Sequence, residues 1–372
     1  MDKYRKMVNP RVLEVPEYDQ KHVTVCWKQE PRIQRLMSNE SSYEPLGNVQ
    51  QAINEVASKV NWYPEDADYA LELRERLAEY TGLSPENVTL GNGSMEILDL
   101  LFQTFIVERG RDEVLMPAPD YSAYPIRAGL FGWASKPVVV GEELDQAADR
   151  LLEAITPQTR MILFSRPHNP TGKVIPAEDV LRLLETGLLV VVDEAYVELA
   201  DEGTSLTSLI KKWDNLIALR TFSKGFGLAG LRIGYLLAIP EYVKFVNMTR
   251  HIFNVNLVAM HAGKAVLENM GEAMQVIEEM RQTRDWMVQE LRQIPGLRPV
   301  KSQANFVLVD ISGSGMAASE FVAYLYEQGF FVRDFSNKFG LKEGRYFRIT
   351  VGRRKHIERL VQKLKDFSKT KS

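Results

Sequence analysis

Residues 218–234, Ala-Leu-Arg-Thr-Phe-Ser-Lys-Gly-Phe-Gly-Leu-Ala-Gly-Leu-Arg-Ile-Gly, decide how the rest of the chain is read. Lys224 stands there between the hydroxyls of Thr221 and Ser223 and a run of glycines, with Arg232 further on. Lysine shifts its pKa readily on burial and forms Schiff bases with carbonyl compounds. Hydroxyls, glycine N–H groups and arginine are the groups that hold phosphate. Side by side they point to a phosphorylated aldehyde, pyridoxal 5'-phosphate. A rival lies in the same residues, because Gly225-Phe-Gly-Leu-Ala-Gly230 matches the G-x-G-x-x-G dinucleotide fingerprint and follows an expected strand. Ser223 and Lys224 are wedged between that strand and the first glycine. The nearest acid, Glu241, arrives sooner than the roughly 20-residue spacing of the fingerprint and directly after Pro240. A nicotinamide dehydrogenase therefore ranks below a pyridoxal phosphate enzyme.

Outward from this stretch, strands and helices alternate. Apolar runs predict strands at 88–90, 113–116, 137–140, 161–164, 188–192, 216–221 and 233–238. Helical spacing and its stop signals predict helices at 48–60, 69–80, 95–105, 144–155 and 176–184. Unbroken apolar strands in such alternation predict an α/β fold with a mostly parallel sheet covered on both faces. Residues 256–294 read as continuous helix. Strands at 305–310, 329–333 and 346–350, with helices at 317–327 and 355–367, read as a smaller α/β unit. The proline-interrupted residues 1–45, with a short strand at 33–37, are expected to pack on it. The division is then an N-terminal arm (1–45), a large domain (46–280) and a small domain (281–372).

In such sheets ligands bind beyond the carboxyl ends of the strands, and each chemically informative motif follows a predicted strand. Ser165-Arg-Pro-His-Asn-Pro-Thr-Gly172 is either a proline-rich turn or a rigid mount for the amide of Asn169. Asp193-Glu-Ala-Tyr196 closes a buried strand, as a cap or as a carboxylate that needs a cationic partner such as a pyridinium nitrogen. Tyr196, three residues on, is at a spacing consistent with hydrogen-bonding the cofactor's phenolic oxygen together with Asn169. Gly91-Asn-Gly-Ser-Met95 opens a helix, so the N–H groups around Ser94 and Met95 suit a phosphate. Tyr121, in Pro119-Asp-Tyr-Ser-Ala-Tyr124, is either core or a ring that stacks on a flat cofactor. Arg333 and Arg348 lie on expected strands of the smaller unit, exposed or turned inward to bind a carboxylate or phosphate.

Bulk composition narrows the class. Across 372 residues, 46 basic and 49 acidic side chains nearly balance, which gives no electrostatic ground for a nucleic acid or membrane partner. No apolar run is long enough to span a bilayer, and the first ten residues carry no apolar core of signal type. Cys26 is the only cysteine, and His22, His168, His251, His261 and His356 show no metal-ligand spacing. A cytoplasmic enzyme without a metal is expected.

Taken in order, these motifs resemble the fold-type-I pyridoxal phosphate aminotransferases, the histidinol-phosphate branch in particular. The resemblance also takes in Asn39-Glu40, Trp62-Tyr-Pro-Glu-Asp66, Val332-Arg-Asp334 and Arg348-Ile-Thr-Val-Gly352. It implies a seven-stranded, mostly parallel sheet between helices and a smaller α/β domain built from both termini. It implies that Lys224 carries the cofactor as a Schiff base, Asp193 pairs with the pyridinium, and Asn169 and Tyr196 bond the phenolate. Tyr121 would stack on the ring, with Ser94, Met95, Thr221, Ser223 and Arg232 on the phosphate. Tyr63 would reach the neighbouring subunit's phosphate, making a homodimer with shared sites. Arg348, Arg333, Tyr18 and Asn169 would contact the substrates, a small amino donor such as L-histidinol phosphate and a 2-oxo acid, 2-oxoglutarate. Aromatic amino-acid transamination, a phosphothreonine-type decarboxylation and a non-catalytic regulatory role stay open beside it. Met95, where the family often has an acid, and the loose form of Asn39–Pro45 are departures on the substrate side.

Overall fold

The computed structural model describes residues 3–15, 33–64 and 70–371. Its larger sheet has seven strands, in the order Val88–Gly91, Gly234–Leu237, Leu216–Thr221, Leu189–Asp193, Thr159–Ser165, Glu113–Ala118 and Ala134–Val139. Only Gly234–Leu237 runs against its neighbours; the other pairings are parallel. Strand periodicity splits the apolar residues between two cores. Ile162, Phe164, Val190, Val192 and Ala218 pack on one face. Met161, Leu163, Val191, Ile217 and Leu219 pack on the other. That is why these strands read as unbroken apolar runs.

The antiparallel strand brings the chain unusually close to a helix start. A Cβ on Gly234 would stand 2.6 Å from the backbone nitrogen of Ser94 and 2.9 Å from the Arg220 carbonyl oxygen. Neither backbone atom can swing aside. Gly234→Ala is expected to cost about 1–3 kcal/mol, in the range of overpacking, read as a lower thermal midpoint in calorimetry.

The smaller sheet orders Gln34–Leu36, Phe330–Asp334, Tyr346–Thr350, Phe306–Asp310 and Arg298–Pro299. Gln34–Leu36 pairs in parallel with Phe330–Val332, which places this short strand in the C-terminal sheet. The long helix Met270–Arg292 gives Ile277 and Met280 to the large core but Met287 and Leu291 to the small one.

Several local expectations differ from the structure. The helix Pro10–Glu14 packs on the helix Ala123–Phe131 of the large domain instead of on the small one. Ala123–Phe131 and Pro240–Thr249 are helices that the sequence reading left out, because Pro125 and Pro240 look like breakers. Both prolines sit in a first turn, where a missing N–H breaks no intrahelical bond. The stretch read as continuous helix divides at Asn269 into Leu257–Glu268 and Met270–Arg292. Among the described residues no helix is long and apolar enough to cross a membrane.

Candidate active site

A cavity of about 340 Å³ opens where the two sheets meet, and both domains line it. The large domain contributes Asp193, Thr221, Tyr121 and Asn169 from strand ends and the turns after them. Ser94 and Met95 come from the first turn of Ser94–Phe105. Ser223, Lys224 and Arg232 come from the segment that follows Leu216–Thr221. Arg333 and Arg348 reach in from the small domain.

Asp193 is buried at the end of its strand. It accepts from the Tyr124 hydroxyl at 2.7 Å and from the Ala195 N–H at 3.0 Å. Burial pushes its carboxyl up to about 6 against those two bonds, with Asp120 adding repulsion. No lysine, arginine or histidine forms an ion pair with it among the described residues. A buried carboxylate without a cation is costly.

Lys224 is half-buried and donates to the Ser38 carbonyl oxygen at 3.0 Å. Burial first, then Arg348 and Arg232, pull its ammonium down to about 8, against the opposing pull of Glu40 and Asp193. The amine is thus partly neutral near physiological pH, as a nucleophile or base requires. Arg232 lies beside Gly93, where a Cβ would strike the guanidinium, so the bare glycine keeps that position open. Thr221 donates to Ser223 Oγ at 2.9 Å, setting the two hydroxyls together.

The remaining polar groups are held by bonds that point their free valences inward. Tyr196 OH accepts from Asn39 Nδ2 at 2.9 Å, which leaves its proton to donate into the cavity. Burial pushes that phenol up to about 12, so it stays a donor. Asn169 Oδ1 accepts from Arg348 at 2.6 Å, leaving its NH2 for a ligand. The other arm of Arg348 donates to the Met37 carbonyl oxygen at 2.9 Å.

Some functional groups escaped the sequence reading. Asn39 orients Tyr196 from a left-handed backbone (φ 56°) that Thr350 and Asn305 brace. Tyr124 holds Asp193. Asp120 accepts the N–H groups of Ser165 and Tyr121 at 3.0 and 2.7 Å and is pushed up to about 6 by burial. All three stand inside sequence motifs, but nothing local in the sequence marks the bonds they make. His168 Nε2 donates to the Pro119 carbonyl oxygen at 2.7 Å, so its Nδ1 accepts from Thr171; burial holds it near 4 and neutral. It fastens the loop and does not line this cavity.

Tyr63 is not in this cavity. It is exposed, and its ring stacks on Phe253 with centroids 4.8 Å apart. Tyr18 lies outside the described residues. The glycine run at 225–230 opens no long helix: it passes through the short turn Ala229–Leu231 into the antiparallel strand. The dinucleotide reading fails on that point.

The donor set fits pyridoxal phosphate. Hydroxyls, a guanidinium and a helix amino terminus can take a phosphate, the unpaired carboxylate can take a pyridinium, and the Lys224 amine faces the same space. A doubly covered parallel sheet with this cleft defines a fold-type-I pyridoxal phosphate enzyme. The chain belongs to the aminotransferase class I and II family, whose model matches residues 32–364. It is 36% identical over 332 residues to the histidinol-phosphate aminotransferase 2 of Archaeoglobus fulgidus, covering 89% of this chain and 92% of that one. It superposes with TM-score 0.85 on the Sinorhizobium meliloti histidinol-phosphate aminotransferase in complex with pyridoxal 5'-phosphate, at 25% identity over 98% of both chains. An L-threonine-O-3-phosphate decarboxylase from Porphyromonas gingivalis shares the fold, with TM-score 0.78 and 24% identity over 91% of this chain and 100% of that one.

Proposed function

We propose that this aminotransferase moves the amino group of L-histidinol phosphate to 2-oxoglutarate by a ping-pong route, as a cytoplasmic homodimer. The observation that carries the reading is the direct register pair Arg333–Arg348, which turns two cations toward the cavity that Lys224 lines. Like charges opposite one another on a sheet repel, so an anionic substrate completes the arrangement. The names of the relatives support the choice of donor.

Pyridoxal phosphate, when bound, supplies an electron sink that acidifies the substrate Cα–H. Ser94, Thr221, Ser223 and Arg232 would hold its phosphate, with the Met95 N–H beside them. Asp193, fixed by Tyr124, would keep a proton on the ring nitrogen. The Tyr196 hydroxyl and the Asn169 amide would bond the phenolic oxygen, and Tyr121 would cover the ring face. The Lys224 amine is the group suited to take the Cα proton and return it, general base and then general acid. Arg348 would orient the acid group of the 2-oxo acid, and Arg333 would meet a second anion. Homodimer formation draws support from the exposed apolar side chains Trp62, Tyr63, Ile252 and Phe253.

Glutamate formation from 2-oxoglutarate is the measurement. With L-histidinol phosphate as donor, kcat/KM is expected to exceed that for phenylalanine by at least about tenfold, one good charge-assisted contact. Equal values would replace the reading with aromatic transamination. Carbon dioxide release from phosphothreonine without an oxo acid would replace it with decarboxylation. Sedimentation of a monomer at all concentrations would remove the dimer.

A further inference from the structure

The substrate side of the cavity holds a third cation that the sequence motifs did not mark. Lys338 lies in the loop after Phe330–Asp334 and lines the cavity together with Arg333, Phe335 and Arg348. The loop is pinned to the large domain, where Gly340 abuts the backbone of Ala118 and Pro119. Lys338 Nζ donates to the Asp120 carbonyl oxygen and, at 2.8 Å, to Ser122 Oγ. An ammonium has three N–H donors, so one remains for the cavity. Both acceptors are neutral, and among the described residues Lys338 forms no ion pair. The Asp120 carboxylate is spent on Ser165 and Tyr121. Burial lowers the Lys338 ammonium to about 8 against the attraction of the nearby Asp120 carboxylate, with Arg348 and Arg333 adding repulsion.

Three cations therefore face one space, and among the described residues no carboxylate is in ion-pair contact with Lys338 or Arg333. One carboxylate on Arg348 leaves the other two unmatched. We propose that Lys338 is a substrate-specificity residue whose ammonium, with Arg333, binds the anionic group of the substrate remote from its reacting carbon. This rests on the reading of the cavity as the amino donor's site. The chemistry it recognises is a terminal oxyanion, which a phosphate monoester and the distal carboxylate of a dicarboxylic acid both offer. The two sources differ in charge and size, so the test carries both. Its position also accounts for why the loop is clamped against Asp120–Ser122: the clamp fixes the ammonium's place in the cavity.

Calorimetry on the cofactor-loaded protein with glycerol 3-phosphate and with succinate, for wild type and Lys338→Gln, reads the proposal without turnover. Glutamine can still bond Asp120 and Ser122 but carries no charge. Lys338→Gln is expected to weaken at least one ligand about tenfold, the worth of one charge-assisted bond. The ligand that weakens more identifies the source. Lys338→Arg should stay within about threefold of wild type, since the charge is kept. In turnover, Lys338→Gln should raise KM for the phosphorylated donor with kcat nearly unchanged, and leave KM for phenylalanine alone. Equal dissociation constants for both ligands in wild type and Lys338→Gln overturn the inference while leaving the function standing. A uniform rise in KM for every donor with a lower thermal midpoint also overturns it, since that is the mark of a structural clamp. Wild type that binds neither ligand yet transaminates phenylalanine overturns the donor assignment and the inference together.

Discussion

Lys224→Ala should reduce transamination by about 10⁴-fold or more, since general acid–base help alone is worth 10²–10⁴ and covalent attachment adds to it. The expectation follows from geometry as much as from residue type. Lys224 is a lysine facing the cavity with one neutral acceptor, the Ser38 carbonyl, and with two arginines that disfavour its charge. Its conjugate acid titrates near 8, so the neutral amine is available where the enzyme works. Lys224→Arg should not rescue, because a guanidinium stays protonated. A pH profile gives an independent reading. Uptake of pyridoxal phosphate by the cofactor-free protein needs the neutral amine, so its rate should rise tenfold per unit below about 8 and level off above. Borohydride treatment of the loaded wild type, followed by peptide mapping, should label Lys224. Label elsewhere, or a flat pH profile, would remove Lys224 from the role.

The same residues show what the sequence could and could not convey. Lys224, Asp193, Asn169 and the Ser94 turn were legible because each sits where a strand ends or a helix begins, and local pattern marks those points. The parallel sheet was legible for a related reason: strands buried on both faces lose their alternation. Asn39 belongs to a short polar motif, yet its role rests on a bond to Tyr196, 157 residues away. Lys338 reads as one more surface lysine until the loop folds onto Asp120. The helix over Pro125 was hidden because a breaker and a first-turn proline are the same residue in a string. Contacts of long sequence separation carry no period. For that reason the cofactor end, built from local turns, read more fully than the substrate end, built where two domains meet.

Asp193→Asn should separate stability from function in opposite directions. In the cofactor-free protein burial raises the Asp193 carboxyl from 3.8 to about 6. The native state then binds the proton more tightly than the unfolded chain, so stability falls as pH rises between about 4 and 6 and stays lower above. About two units correspond to on the order of 2–3 kcal/mol of cost at neutral pH. Asparagine cannot ionise, and it keeps an acceptor for the Ala195 N–H. Cofactor-free Asp193→Asn is thus expected to melt at or above the wild-type temperature at pH 8, and to lose that advantage at pH 4. Loaded with pyridoxal phosphate the order reverses. The carboxylate that was costly alone acquires a pyridinium proton to hold, and the variant cannot offer the charge. Turnover should fall by about 10²–10⁴-fold, the range for losing a charge that tunes the reacting group. The cofactor should also dissociate more readily. Melting curves at both pH values, with and without cofactor, and steady-state rates check each part. A variant that is less stable at pH 8 without cofactor, or as active as wild type with it, would mean that Asp193 is an ordinary strand cap. The residue is costly until the ligand arrives, and that cost is the mark of a group placed for binding and not for folding.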